Sequence, residues 1–115
     1  MKVLITGNLG YIGPSLIHEI RSSHPFAEIV GMDLGLFSHC LTGVKIAPDI
    51  NLDKQIYKDV RNISEDDLDG FDSVVHLAAI SNDPMGQSFE KITNEINYQS
   101  SIEIAKLAKK VGVKN

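Results

Sequence analysis

A single cysteine, Cys40, stands in the 115 residues. No internal disulfide can form, which fits a reducing compartment. No apolar run approaches the roughly 20 residues of a membrane-crossing helix. The opening Met1-Lys2-Val3-Leu4-Ile5 is too short for the apolar region of a signal peptide. Positive charge is not in excess: the formal net charge of −4 argues against a general nucleic-acid binder and against a membrane-surface protein. Internal repeats, low-complexity tracts and linkers are missing as well. These absences point to one soluble, cytoplasmic domain over residues 1–115, and its 43% hydrophobic content suffices for a core.

What is present centres on Lys2 to Gly13. Val3-Leu4-Ile5 is a short apolar run suited to a strand buried on both faces, and Gly7, Gly10 and Gly13 follow it. Gly7 permits a sharp turn, Gly10 keeps side-chain bulk away from a phosphate, and Gly13 lets the next helix lie close. Backbone N–H groups and the positive end of that helix then suit a pyrophosphate. The spacing is Gly-x-x-Gly-x-x-Gly, one residue longer at its first gap than Gly-x-Gly-x-x-Gly. Ile12, Leu16 and Ile20 recur at helical spacing, Pro14 sits in the first turn, and the helix should end before Pro25.

A second strand, Glu28 to Asp33, ends in an acid 20 positions after Gly13. A carboxylate there accepts hydrogen bonds from the adenine-side ribose and repels a 2′-phosphate, which favours NAD over NADP. Residues 34–53 read as an extended loop. Its adjacent His39 and Cys40 have no second pair to complete a metal site, so no metal is expected. Gln55–Lys58 suggests a third strand, with Asp59 at its carboxyl end. Ser64 is placed to cap a brief helix, whose acids Glu65, Asp66, Asp67 and Asp69 suit a solvated face. Asp72–Leu77 forms a fourth, nearly continuous apolar strand. His76 within it is expected to be a packed, hydrogen-bonded residue rather than a base. Ala78 and Ala79 permit close approach, 81–86 make a loop, and one helix runs from about Ser88 to Val111. Asn97 interrupts that helix as a mediocre helix former.

Taken together, Thr6-Gly7-x-x-Gly10-x-x-Gly13, Asp33, Asp59-Val60-Arg61, His76-Leu77-Ala78-Ala79 and Asn97 resemble the extended short-chain dehydrogenase/reductase family. The resemblance is to its NAD-dependent sugar-nucleotide epimerases and dehydratases. It implies an α/β, Rossmann-like doubly wound parallel sheet, here about four strands in the order 3-2-1-4. It also implies that Tyr11 and Ile12 lie against the pyrophosphate and that Asp33 holds the adenine ribose. Asp59 and Val60 would meet adenine, Leu77, Ala78 and Ala79 would line the nicotinamide-side ribose, and Asn97 would sit near the cofactor. Ser81 stands where members vary. In such enzymes NAD takes a hydride from a sugar carbon and usually returns it.

One part of the family pattern has no counterpart. Members carry a Ser or Thr after the fifth strand and then Tyr-x-x-x-Lys. Here Tyr11, Tyr57 and Tyr98 are followed four positions on by Ser15, Arg61 and Ile102. No catalytic residue can be named, and the nucleotide-sugar domain is not in this sequence. The expected role is the NAD-binding amino-terminal portion of an epimerase/dehydratase. The alternatives are a stand-alone NAD-binding sensor module and one half of a two-chain enzyme, while Asp33 disfavours an NADPH-dependent reductase. A strand order ending at strand four leaves an apolar edge, from which self-association is expected.

Overall fold

The computed structural model describes residues 1–36, 51–81 and 89–115. Four parallel strands form one sheet in the order β3-β2-β1-β4: β1 (Lys2–Thr6), β2 (Glu28–Asp33), β3 (Lys54–Tyr57) and β4 (Ser73–His76). This is the expected order, and the strand limits lie within a residue or two of those read from the sequence. In register, Val3 faces Ile29 and Ser73 across its two neighbours, and Met32 faces Ile56.

The central strand shows why an unbroken apolar run was needed. Leu4 points to one face, where it packs with Val30, Met32, Val60, Ile63, Leu68 and Ile104. Val3 and Ile5 point to the other, with Ile17, Ala27 and Ile29. Helix α1 (Gly13–Ser23) closes this second face through Ile17, with Leu16 and Ile20 beside it. Each fully buried Leu or Ile contributes about 1.5–3 kcal/mol. Below α1, the Arg21 guanidinium donates to the carbonyls of Pro25, Ala27 and Asn51 and to the Asp53 carboxylate. That one side chain ties the helix end to the starts of β2 and β3.

Between β3 and β4 the chain makes two short 3-10 helices, Val60–Asn62 and Glu65–Asp67. Ser64 caps the second as expected, in a reciprocal capping box. Asp67 corrects the solvated-face reading, because it is half-buried and its Oδ2 accepts from both the amide and hydroxyl of Ser64 and pairs with Lys58. Gly70 follows at φ +75°.

The expected single helix after the second loop is divided. Helix α2 (Glu90–Asn94) passes into a π turn (Glu95–Gln99), and α3 (Ser100–Val111) continues to Gly112. The wider turn has a local cause: the buried Ser100 sends both its amide and its hydroxyl to the carbonyl of Glu95, five residues back. Gly112 ends α3 in the left-handed region at φ +86°. The β4 edge differs from expectation in part. The Lys114 amide donates to the Asp72 carbonyl and the Val74 amide to the Asn115 carbonyl, so the start of that edge is already paired. The four residues of β4 are nonetheless only half-buried. Among the described residues no helix is long and apolar enough to cross a membrane.

Candidate functional site

The parallel order places the carboxyl ends of all four strands along one rim. In sequence across the sheet stand Asp59 after β3, Asp33 ending β2, the glycine turn after β1, and Leu77–Ala79 after β4. Three strand spacings separate the ends of this row, about 14 Å. Ligands of open parallel sheets bind along such a rim.

The turn is shaped by close approaches as much as by torsion. Gly7 has φ +71°, and its amide donates to the Met32 carbonyl at 2.8 Å. A Cβ on Gly7 would lie 2.5 Å from the Ala78 nitrogen, so the turn packs directly on the backbone that leaves β4. A Cβ on Gly13 would overlap the backbone of Asn8. The close packing expected of Gly13 is therefore against the turn itself. A Cβ on Gly10 would meet only the Gly7 carbonyl oxygen, at 3.2 Å, and is otherwise unobstructed. Tyr11 and Ile12 are exposed on the lip. No side chain caps α1 at its amino end, whose cap residue is Ile12, and Pro14 contributes no N–H there. The remaining first-turn amides suit an anion.

Asp33 holds the turn from the next strand. Its Oδ2 accepts the Leu9 amide at 3.1 Å and its Oδ1 accepts the Gly35 amide at 2.7 Å. Each carboxylate oxygen carries a further lone pair for a ligand hydroxyl. Asp59 is differently engaged. Arg61 grips both its oxygens through Nε and Nη2, and the Arg61 amide donates to Oδ1. The Arg61 side-chain hydrogen bonds hold the Asp59 carboxyl below its ordinary value. Arg61 also reaches Glu95 at 3.2 Å, joining this corner to the π turn. Val60 is buried in the core, so only its backbone can face the rim.

Asn97, at the centre of the π turn, uses its whole amide on one residue. Its Oδ1 accepts the Ile80 amide and its Nδ2 donates to the Ile80 carbonyl, both at 2.8 Å. It therefore holds the chain beyond Leu77-Ala78-Ala79, beside the rim. His76 is the packed, bonded residue expected, with Nδ1 2.6 Å from the Thr6 hydroxyl and Nε2 3.0 Å from that of Ser101. Burial lowers its pKa. His39 and Cys40 lie outside the described residues, as do most of the 34–53 loop and most of the 81–86 loop. Among the described residues no three His, Cys, Asp or Glu side chains are grouped to hold a metal ion.

Two features escaped the sequence reading. Asn8 is fully buried, and its Nδ2 donates to the Gln55 Oε1 at 2.6 Å, with the Gln55 amide returning to Asn8 Oδ1 at 3.3 Å. This pair crosses β2 at Gly31, where a Cβ would lie 2.5 Å from the Asn8 Cγ. A glycine inside an apolar strand was the available signal. The Thr6–His76–Ser101 series had none, since its members are 70 and 25 residues apart.

Among curated proteins, none matches this sequence. Among solved structures, the chain resembles TunA, an NAD dependent NDP-hexosamine 5,6-dehydratase involved in tunicamycin biosynthesis, at 27% identity and a TM-score of 0.78, covering 97% of this chain and 34% of that one. It resembles the ADP-L-glycero-D-manno-heptose-6-epimerase of Helicobacter pylori at 27% identity and a TM-score of 0.72, covering 97% and 36%. The UDP-glucose-4-epimerase of Stenotrophomonas maltophila, solved with bound NAD, shares the fold at 21% identity and a TM-score of 0.77. The chain thus spans about a third of the length of these enzymes. A family model matches residues 3–115, and the chain belongs to the NAD dependent epimerase/dehydratase family.

Proposed function

We propose that this chain is the NAD-binding portion of a nucleotide-sugar epimerase or dehydratase. The observation that carries the reading is Asp33: a carboxylate ending β2 and hydrogen-bonded to the Leu9 amide of the glycine turn. It joins, at one point, the group that would hold a ribose and the backbone that would hold a pyrophosphate. The residues fit NAD. Gly10 leaves its side of the turn unobstructed, the α1 amino end has no side-chain cap, and the Leu77–Ala78 backbone closes the turn from the β4 side.

In this reading the amides of Tyr11, Ile12 and Gly13 orient the pyrophosphate, and Asp33 accepts the two adenine-side ribose hydroxyls. Asp59, held in place by Arg61, borders adenine together with the Val60 backbone. Leu77, Ala78 and Ala79 exclude water from the nicotinamide side. Bound NAD supplies a hydride acceptor for a sugar carbon and later a donor. None of the residues in this chain is assigned the accompanying proton transfer.

Calorimetric titration of the 115-residue chain with NAD and then with NADP tests this. Binding of NAD with at least tenfold weaker binding of NADP is the expected result. Equal affinity for both would remove Asp33 from the ribose role, and binding of neither would refute a working site in this chain.

A further inference from the structure

A continuous hydrogen-bond relay runs beneath the β4 side of the rim. The buried Thr6 hydroxyl meets His76 Nδ1, His76 Nε2 meets the Ser101 hydroxyl, and that hydroxyl donates to the Asn97 carbonyl at 2.8 Å. Asn97 then clasps both backbone polar groups of Ile80. Proton accounting gives the relay a direction. Ser101 has one hydroxyl proton and gives it to Asn97, so it must accept from His76 Nε2–H. His76 Nδ1 is then the acceptor, and Thr6 donates to it. The neutral imidazole this requires agrees with its burial and lowered pKa.

We propose that His76 and Ser101 are positioning residues: through Asn97 they fix the backbone at Ile80, the wall against which the nicotinamide half of a bound dinucleotide lies. The inference rests on the NAD-binding reading above for the identity of the ligand, and on geometry alone for the relay. A π turn replaces i→i+4 bonds with i→i+5 bonds over a single turn. Ser100 holds the Glu95 carbonyl five residues back, which keeps the turn wide, and Ser101 ties the Asn97 carbonyl to His76. Asn97 is thereby presented to a residue 17 positions earlier. Removing the Ser101 hydroxyl leaves His76 Nε2–H without the acceptor it has here and takes one donor from the Asn97 carbonyl.

The test compares Ser101→Ala and Ser101→Thr with the unaltered chain, the threonine retaining the hydroxyl. Three readouts are taken: imidazole nitrogen shifts of His76, hydrogen exchange of the Ile80 amide, and NAD affinity. In the unaltered chain His76 should show a protonated Nε2 and a bare Nδ1. Ser101→Ala should perturb that tautomer signal, speed Ile80 exchange several-fold, and weaken NAD about three- to tenfold, the loss of one net hydrogen bond. Ser101→Thr should restore all three. Unchanged Ile80 exchange in Ser101→Ala overturns the relay, whether or not NAD binds. Faster exchange with unchanged NAD affinity overturns the positioning role. If the unaltered chain binds no NAD, the proposed function falls instead, and Ile80 exchange still decides whether the relay holds the wall.

Discussion

Gly31→Ala places one methyl group where the structure has no room. The new Cβ would stand 2.5 Å from Asn8 Cγ, and Asn8 is fully buried beneath the glycine turn. Contacts between carbons settle near 3.5–4.0 Å, so Asn8 must retreat by about 1 Å or more. Two costs follow. Overpacking a filled interior costs about 1–3 kcal/mol, and the Asn8–Gln55 hydrogen bonds, each worth about 1 kcal/mol, are strained or lost. Against them stands a gain of about 0.5–1 kcal/mol from replacing glycine in a strand. The net prediction is a destabilisation of about 2–3 kcal/mol. Urea denaturation reads this directly: with a slope of about 1–3 kcal/mol per molar, the midpoint should fall by roughly 0.7–3 M. Asn8→Ala alone should destabilise by leaving Gln55 Oε1 without its Asn8 donor, while Gln55 Nε2 keeps its bond to the Ile56 carbonyl. The double variant should then recover at least 1 kcal/mol relative to the sum of the singles, because the methyl occupies the space vacated by the amide. Wild-type stability for Gly31→Ala, or strict additivity in the cycle, would refute this account of Gly31.

Further outcomes are expected. Asp33→Asn removes the charge that repels a 2′-phosphate while preserving size, and should narrow the NAD-to-NADP affinity ratio by about tenfold; an unchanged ratio in paired titrations would contradict the ribose assignment. Asp59 has a depressed carboxyl pKa, so its contribution is fully present above about 3.8, the ordinary value, and is lost as pH falls through the lower folded value. Acid denaturation of Asp59→Asn should therefore be less steep below that pH, and an identical profile would remove the Arg61 pairing from stability. His76 has the corresponding signature of a half-buried neutral imidazole: its contribution is complete above about 6.5 and declines as pH falls toward its lower folded value. His76→Gln should flatten stability measured across that interval. Finally, the half-buried β4 edge should drive self-association, visible as a rise in scattering mass with concentration, and a monomer at high concentration would exclude it.

The parts of the fold legible in the sequence are those written in short-range patterns. Val3-Leu4-Ile5 announces a doubly covered strand by composition, Ile12, Leu16 and Ile20 announce a helix by spacing, and Asp33 follows its glycines at a fixed interval. The rim followed because parallel connection brings these ends together. The π turn was not legible, since Ser100 reads as an ordinary helix residue until its amide and hydroxyl both meet the Glu95 carbonyl. Nor does anything near Asn97 in the sequence show that its amide is claimed by Ile80, 17 positions earlier. Asp67 departs from expectation for a similar reason: the four acids of 65–69 look solvated until Lys58 folds over one of them. Asn8 and Gly31 become partners only once β1 and β2 lie side by side.

The same connectivity carries a consequence for how the chain finds its structure. Asp33 reaches Leu9 across 24 residues, whereas His76 reaches Thr6 across 70. Closing the longer loop costs about 1 kcal/mol more chain entropy. Pairing of β1 with β2 therefore has the lower entropic cost, and β4 is expected to dock after it. The Gly7–Ala78 contact is the seam between these two stages. A ligand spanning the glycine turn and residues 77–80 would bridge that seam, so its arrival should slow the departure of β4.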